Sequence, residues 1–195
     1  RIFPMRKLML ILLALCLAAI PCLAEGTQNI DYDFGDFTMS FPEDTIGDVA
    51  EEIAENEVFF TIYQDYDESK PFLKNLNGTW NSTYQDLTQM DPTATAQQIL
   101  NSVVVQFTSY GITVSNPTLL MAALDEQDGK PALSIIYSTD LDYSATGTDL
   151  QMTLYTLQGI VSDESFGTYT FTISTDDIEG AAPLMEIMDT ITWND

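Results

Sequence analysis

Histidine is missing from all 195 residues, and the two cysteines stand at positions 16 and 22, so none follows Cys22. The first absence removes Ser-His-Asp and Cys-His catalysis and most zinc sites. The second removes thiol chemistry and disulfides from the rest of the chain, which has to be held together by its apolar core. Positive charge is nearly as scarce. Beyond residue 24 there are three lysines, Lys70, Lys74 and Lys130, against 30 acids. Such a surface repels nucleic acid and anionic lipid and favours solubility. Neither a Walker-type phosphate loop nor a GxGxxG turn occurs. No apolar run reaches the roughly 20 residues of a membrane span.

The apolar run that is present is Leu8 to Ile20, behind Arg6 and Lys7. It has the length of a secretory h-region, and Cys22-Leu23-Ala24 supplies small residues at −3 and −1. Met5 therefore reads as the start, with cleavage after Ala24. This predicts a secreted or extracytoplasmic protein without stable membrane insertion after cleavage. Residues 1–24 are upstream residues and signal peptide, and 25–195 form a single domain.

Period-two alternation dominates the chain beyond Ala24. Ile30, Tyr32 and Phe34 alternate with Asp31 and Asp33, and Phe37, Met39 and Phe41 with Thr38 and Ser40. Both stretches read as half-buried strands joined at Gly35-Asp36. Thr45 to Asn56 switches to helical spacing through Ile46, Val49, Ala50, Ile53 and Ala54, which predicts a short amphipathic helix. Val58 to Tyr63 is a strand. Asp65 to Gln89 has no period and reads as a long irregular segment, carrying the sequons at Asn77 and Asn81. Asp91-Pro92 is a helix start, and Ile99, Leu100, Val103, Val104, Phe107 and Tyr110 form the stripe of the main helix, stopped at Gly111. Two hairpins come next, turning at residues 125–130 and 162–167. A closing helix runs through Leu184, Ile187, Met188 and Ile191. The expected fold is α+β: a mainly antiparallel sheet flanked by two helices in an α/β/α sandwich.

Candidate sites are few. Calcium needs only oxygen ligands, and Asp31 to Asp36, Asp65 to Glu68 and Asp125 to Asp128 are acidic enough to be tested. In the first, an EF-hand register would put Gly35 at position 5, Asp36 at position 6 and Pro42 at position 12, so it fails. The other two read as turns, and the expectation is weak cation association with no resident metal or cofactor. A carboxylate-only hydrolase needs two acids in one cleft, and 30 acids make a chance pair uninformative. No catalytic residue is assigned. Tyr63, Tyr66, Trp80 and Tyr84 cluster in or beside the irregular segment and are the expected contacts for a protein, peptide or glycan partner.

Phe37-Thr38-Met39-Ser40-Phe41-Pro42, the helix around Ile99 to Tyr110, the run Gly167 to Ile173 and the segment Met185 to Trp193 succeed one another in an order that resembles the PsbP-like (Mog/PsbP) superfamily of α/β/α sandwich domains. The resemblance spans most of residues 30 to 193. It implies a bacterial exported member acting as a non-catalytic binding or accessory module of the envelope or extracellular space, like the photosystem accessory proteins and the GTPase-binding transport factor of that superfamily. A calcium-binding module and a carboxylate-only hydrolase are the alternatives. The photosynthetic members bind metals partly through histidine, which this chain lacks, so such a site does not carry over.

Overall fold

The computed structural model describes residues 29–194. The expected signal peptide lies outside the described residues. In chain order the elements are β1 (Asn29–Asp33), β2 (Phe37–Pro42), β3 (Ile46–Val49), β4 (Val58–Tyr63), β5 (Asn75–Asn81), α1 (Pro92–Ser109), β6 (Thr113–Gln127), β7 (Lys130–Asp142), β8 (Gln151–Asp163), β9 (Gly167–Thr175), α2 (Ala182–Met188) and β10 (Thr192–Trp193). A seven-stranded sheet runs β3-β4-β5-β9-β8-β7-β6, and a three-stranded sheet runs β1-β2-β10. Every pairing is antiparallel. The fold is α+β, as the alternating pattern and the hairpins predict.

The large sheet has two different faces. Register places Leu76, Ile173, Leu157, Ile136 and Met121 in one row across five strands. This face packs on the small sheet and α2, and the main core lies between them. Its centre is aromatic: Phe37 of β2 lies 5.2 Å from both Tyr169 and Trp193. Trp193 in turn stacks on Phe166 at 4.7 Å. The opposite face is covered by α1 only over β6, β7 and β8, where Ala96 and Leu100 meet Leu133, Ile135, Tyr137 and Ile160. The Asp91 carboxylate caps α1 by accepting from the Ala94 N–H at 2.9 Å. Tyr110, expected in the apolar stripe, is the C-cap and is exposed. Toward β5 and β9 this face carries Asn75, Asn77, Thr79, Thr170, Thr172 and Ser174, all half-buried. A helix thus lies on each face, α1 on one and α2 on the other, and the unexpected element is the small sheet that joins α2 over the core.

Two further expectations are corrected. Residues 45–56 are not a helix: Ile46–Val49 pairs with β4 as an edge strand, and Ile46 is 50 % exposed. Ile46 and Val49 are β-branched, and a strand of strong β-formers, Val58 to Tyr63, offers its free edge. Gly47 permits the approach, since a Cβ there would overlap the Thr61 carbonyl oxygen. The irregular segment also contains β5, an internal strand between β4 and β9. Its inward residues are Leu76, Gly78 and Trp80. Gly78 is the reason for its silence: the rings of Phe59 and Phe60 occupy the space a side chain would fill. Both rings are buried although adjacent in sequence, because a bulge between Val58 and Phe60 shifts the register.

Candidate aromatic and acidic binding site

The stretch Asp31 to Phe37 forms one wall of the site. Gly35 turns β1 into β2, and its N–H is accepted by the Asp33 carboxylate at 2.8 Å. The turn is pinned from behind, where Asn194 donates its backbone N–H to the Asp36 carbonyl at 2.8 Å and its side-chain amide to the Gly35 carbonyl at 2.7 Å. This holds Tyr32 and Phe34 half-buried, with Phe34 4.9 Å from Phe37 and 5.3 Å from Phe59. The opposite wall is the segment 49–53, tethered where the Ala50 N–H donates to the Phe59 carbonyl at 2.7 Å.

Between these walls lies a concavity of about 660 Å³. Tyr32, Phe34, Trp80 and Tyr169 supply its aromatic lining, and Asp33, Asp36, Glu51 and Glu52 its acids. Trp80 is held by donating its indole N–H to the Phe166 carbonyl at 2.7 Å, with its ring 6.4 Å from Tyr169. Tyr169, buried beneath, donates its hydroxyl to the Asp36 carboxylate at 2.7 Å. Burial first, and then the Asp36 carboxylate, push the Tyr169 hydroxyl far above the usual phenol range, so it stays a donor. Aromatic faces beside carboxylates attract an ammonium or guanidinium group from two sides.

Of the four aromatics expected to make contacts, Trp80 lines this concavity. Tyr63 and Tyr66 lie together elsewhere, 5.6 Å apart. Tyr63 pairs with Asn75, at the far end of β5 from Trp80 and on the other face of the sheet. Tyr66 is exposed beside Glu68, whose charge raises its hydroxyl above the ordinary phenol value. Tyr84 is exposed next to Asp86, Glu164 and Asp163 and does not line the concavity. The four do not form one patch. Tyr32, Phe34, Glu51, Glu52 and Tyr169 were not expected as site residues. The aromatic and acidic alternation of Asp31 to Asp36 was a usable signal for the first two.

In each of the three acidic stretches tested for calcium at least one carboxylate accepts a hydrogen bond from the protein. Asp31 accepts from the Ser40 hydroxyl, Asp67 from Ser69 at 2.9 Å, and Asp128 from the Trp193 N–H at 3.0 Å. Among the described residues no three His, Cys, Asp or Glu side chains converge as a metal site. Nor, among them, is any helix long and apolar enough to cross a membrane.

No family model matches the chain, and no curated protein matches it in sequence. Solved structures do match in shape. The solution structure of cyanobacterial PsbP (CyanoP) from Synechocystis sp. PCC 6803 superposes with a TM-score of 0.60 at 15% identity, over 91% of this chain and 99% of that one. The Ran-binding protein Mog1p of Saccharomyces cerevisiae gives 0.50 at 12% identity, over 87% and 97%. The chain has the PsbP/Mog1 fold.

Proposed function

We propose that the chain is an exported, non-catalytic binding or accessory module of the bacterial envelope or extracellular space, which holds a protein partner by a lysine or arginine side chain seated in the concavity of β1, β2 and the 49–53 segment. The observation that carries this reading is the meeting of Tyr32, Phe34 and Trp80 with Asp33, Asp36, Glu51 and Glu52 in one opening. Export is supported by the basic and apolar start of the sequence and by Cys22-Leu23-Ala24. The fold adds support, since one of its other carriers is a Ran-binding protein. Asp33 and Asp36 each accept one hydrogen bond, from the Gly35 N–H and the Tyr169 hydroxyl, which fixes them as acceptors with lone pairs left for a cation.

The test is titration of the purified, isotope-labelled protein with the tripeptides Gly-Arg-Gly and Gly-Glu-Gly, followed by NMR. The expected outcome is saturable shifts of the Trp80 indole N–H and of the backbone of residues 49–53 with the arginine peptide alone. Glu51→Gln combined with Glu52→Gln should weaken that binding about threefold to tenfold. Equal shifts with the glutamate peptide, or shifts confined to other surfaces, would overturn the reading.

A further inference from the structure

A second surface, on the other side of the core, combines three features that the concavity does not explain. The first is a free edge. β6 is the last strand of the large sheet, and among the described residues it pairs only with β7. From Leu119 to Leu124 it carries six consecutive apolar residues, with Leu120 48 % and Leu124 37 % exposed. A long edge of unpaired backbone groups is a template for another strand, and proteins usually blunt it, here with charges only at Asp125 and Glu126 near its end. Here a bulge between Leu119 and Met121 disrupts the upper part, while Met121 to Gln127 continues in regular register.

The second feature is an apolar slot beside that edge. α2 crosses the core face of the sheet and meets β6 only at its C-terminal end, where the Gln127 side-chain amide donates to the Met188 carbonyl at 2.9 Å. It leaves a cavity of about 120 Å³ lined by Met121, Ile136, Leu157, Gly159, Met185 and Met188. Methionines adapt their shape to an entering group at little cost. Gly159 keeps the slot open: a Cβ there would stand 2.9 Å from the terminal methyl of Met188.

The third feature is the acidic mouth. The slot opens into a groove of about 570 Å³, where Asp125, Glu126 and Asp189 stand on the rim. Burial, and then the neighbouring Glu186 charge, raise the Asp189 carboxyl above the ordinary value. Asp189 is thus a carboxylate that a cation would relieve. Among the described residues it forms no ion pair, whereas Lys74 and Lys130 are committed to Asp176, Asp177 and Asp163.

We propose that the edge of β6 and the slot beneath α2 together take an extended segment of a partner protein, with an apolar side chain in the slot and a lysine or arginine two positions away beside Asp125 and Asp189. Alternation explains the spacing. Met121, Ala123 and Asp125 lie on the same face of β6, so every second residue of an added strand points into the same groove, and a side chain opposite Asp125 stands two positions from the one opposite Ala123. A second copy of this chain is a poor occupant, because it would bring another acidic rim against this one. A purely apolar ligand would leave Asp189 without its cation.

The probe is the peptide acetyl-Thr-Thr-Leu-Thr-Lys-Thr-Thr-amide, titrated into the labelled protein. Saturable shifts are expected at the backbone of Met121 to Gln127 and at the methyl groups of Met185 and Met188. The counterpart with glutamate for lysine should leave them unmoved. Gly159→Ala, which drives Met188 into the slot, should weaken binding about tenfold or more, the worth of one buried leucine side chain. Asp189→Asn should weaken it roughly threefold, as a partly exposed charge pair does, and it keeps the test open if Gly159→Ala does not fold. Several outcomes overturn the proposal: no saturable shift, equal binding of the glutamate peptide, or undiminished binding by both variants. Shifts confined to the Trp80 concavity, or a concentration-dependent dimer that masks β6, overturn it as well. The two sites report on different residues, so either can fail alone.

Discussion

Tyr169 joins the core to the candidate site through one hydroxyl. Its ring sits among Phe37, Phe59, Phe166 and Trp193, and its hydroxyl reaches Asp36 at the mouth of the concavity. A hydrogen bond to a charged acceptor contributes about 1.5–3 kcal/mol, so Tyr169→Phe should lower the unfolding free energy by about that much. The raised phenol value adds a pH signature. A group whose value is raised in the folded state stabilises fully below its unfolded value, near 10, and this contribution is lost as pH rises above it. In urea titrations between about pH 8 and 11, the wild type should lose this component and Tyr169→Phe should lack it. Identical alkaline slopes would show that the hydroxyl is not coupled to the fold.

Among the elements, β5 is the one whose presence depends on its neighbours. Its polar face, Asn75, Asn77, Thr79 and Asn81, reads as loop, and one of its three inward positions is a glycine. A local pattern cannot register a strand whose packing partner is supplied by Phe59 and Phe60 from β4. Adding a methyl group at Gly78 would drive it into those rings, against Cε1 of Phe60 first. Overpacking of this kind costs about 1–3 kcal/mol. Gly78→Ala should therefore lower the urea midpoint without changing the slope of the transition, and an unchanged midpoint would mean that the rings move aside freely. The hairpins behave in the opposite way. Asp128-Gly129 between β6 and β7 has positive φ at both residues, 47° and 78°, the two-residue turn that matches strand twist, and it is legible from sequence alone. α1 is equally legible, because Asp91 and Pro92 act locally.

For the whole molecule the controlling quantity is its charge, −24 with only six basic residues. It has two opposed effects. At neutral pH the acids repel one another, so raising the ionic strength from about 10 to 500 mM should increase the melting temperature. At low pH the bonded carboxylates matter instead. The Ser165 hydroxyl and N–H, together with Lys130, hold the Asp163 carboxyl down to about 2. Asp177, beside Lys74 and the Gly180 N–H, is also lowered. Lowered values stabilise the fold above the unfolded value, near 4, and that stability is lost as pH falls from about 4 to 2. Melting curves at fixed ionic strength should therefore hold or rise from pH 7 toward 5 and fall steeply below 4. A stability that kept rising to pH 2 would contradict these assignments.

Local physics carried much of this protein. Alternating apolar and hydroxyl residues specify β2 and β9, a run of strong β-formers specifies β4, turn chemistry specifies the hairpins, and capping specifies α1. The missing histidines and the cysteines confined to positions 16 and 22 exclude whole classes of chemistry before any fold is known. Tertiary structure decided what depends on partners distant in sequence. Residues 46–49 became a strand because β4 had an edge to fill and Gly47 could approach it. A small sheet closed over the core because β10 returned from the far end of the chain to pair with β2. The same closure set Asp31 to Asp36 against Trp80 and Tyr169. Acids that fail as calcium ligands by spacing became the rim of an aromatic concavity, an arrangement that exists only once strands more than a hundred residues apart have packed.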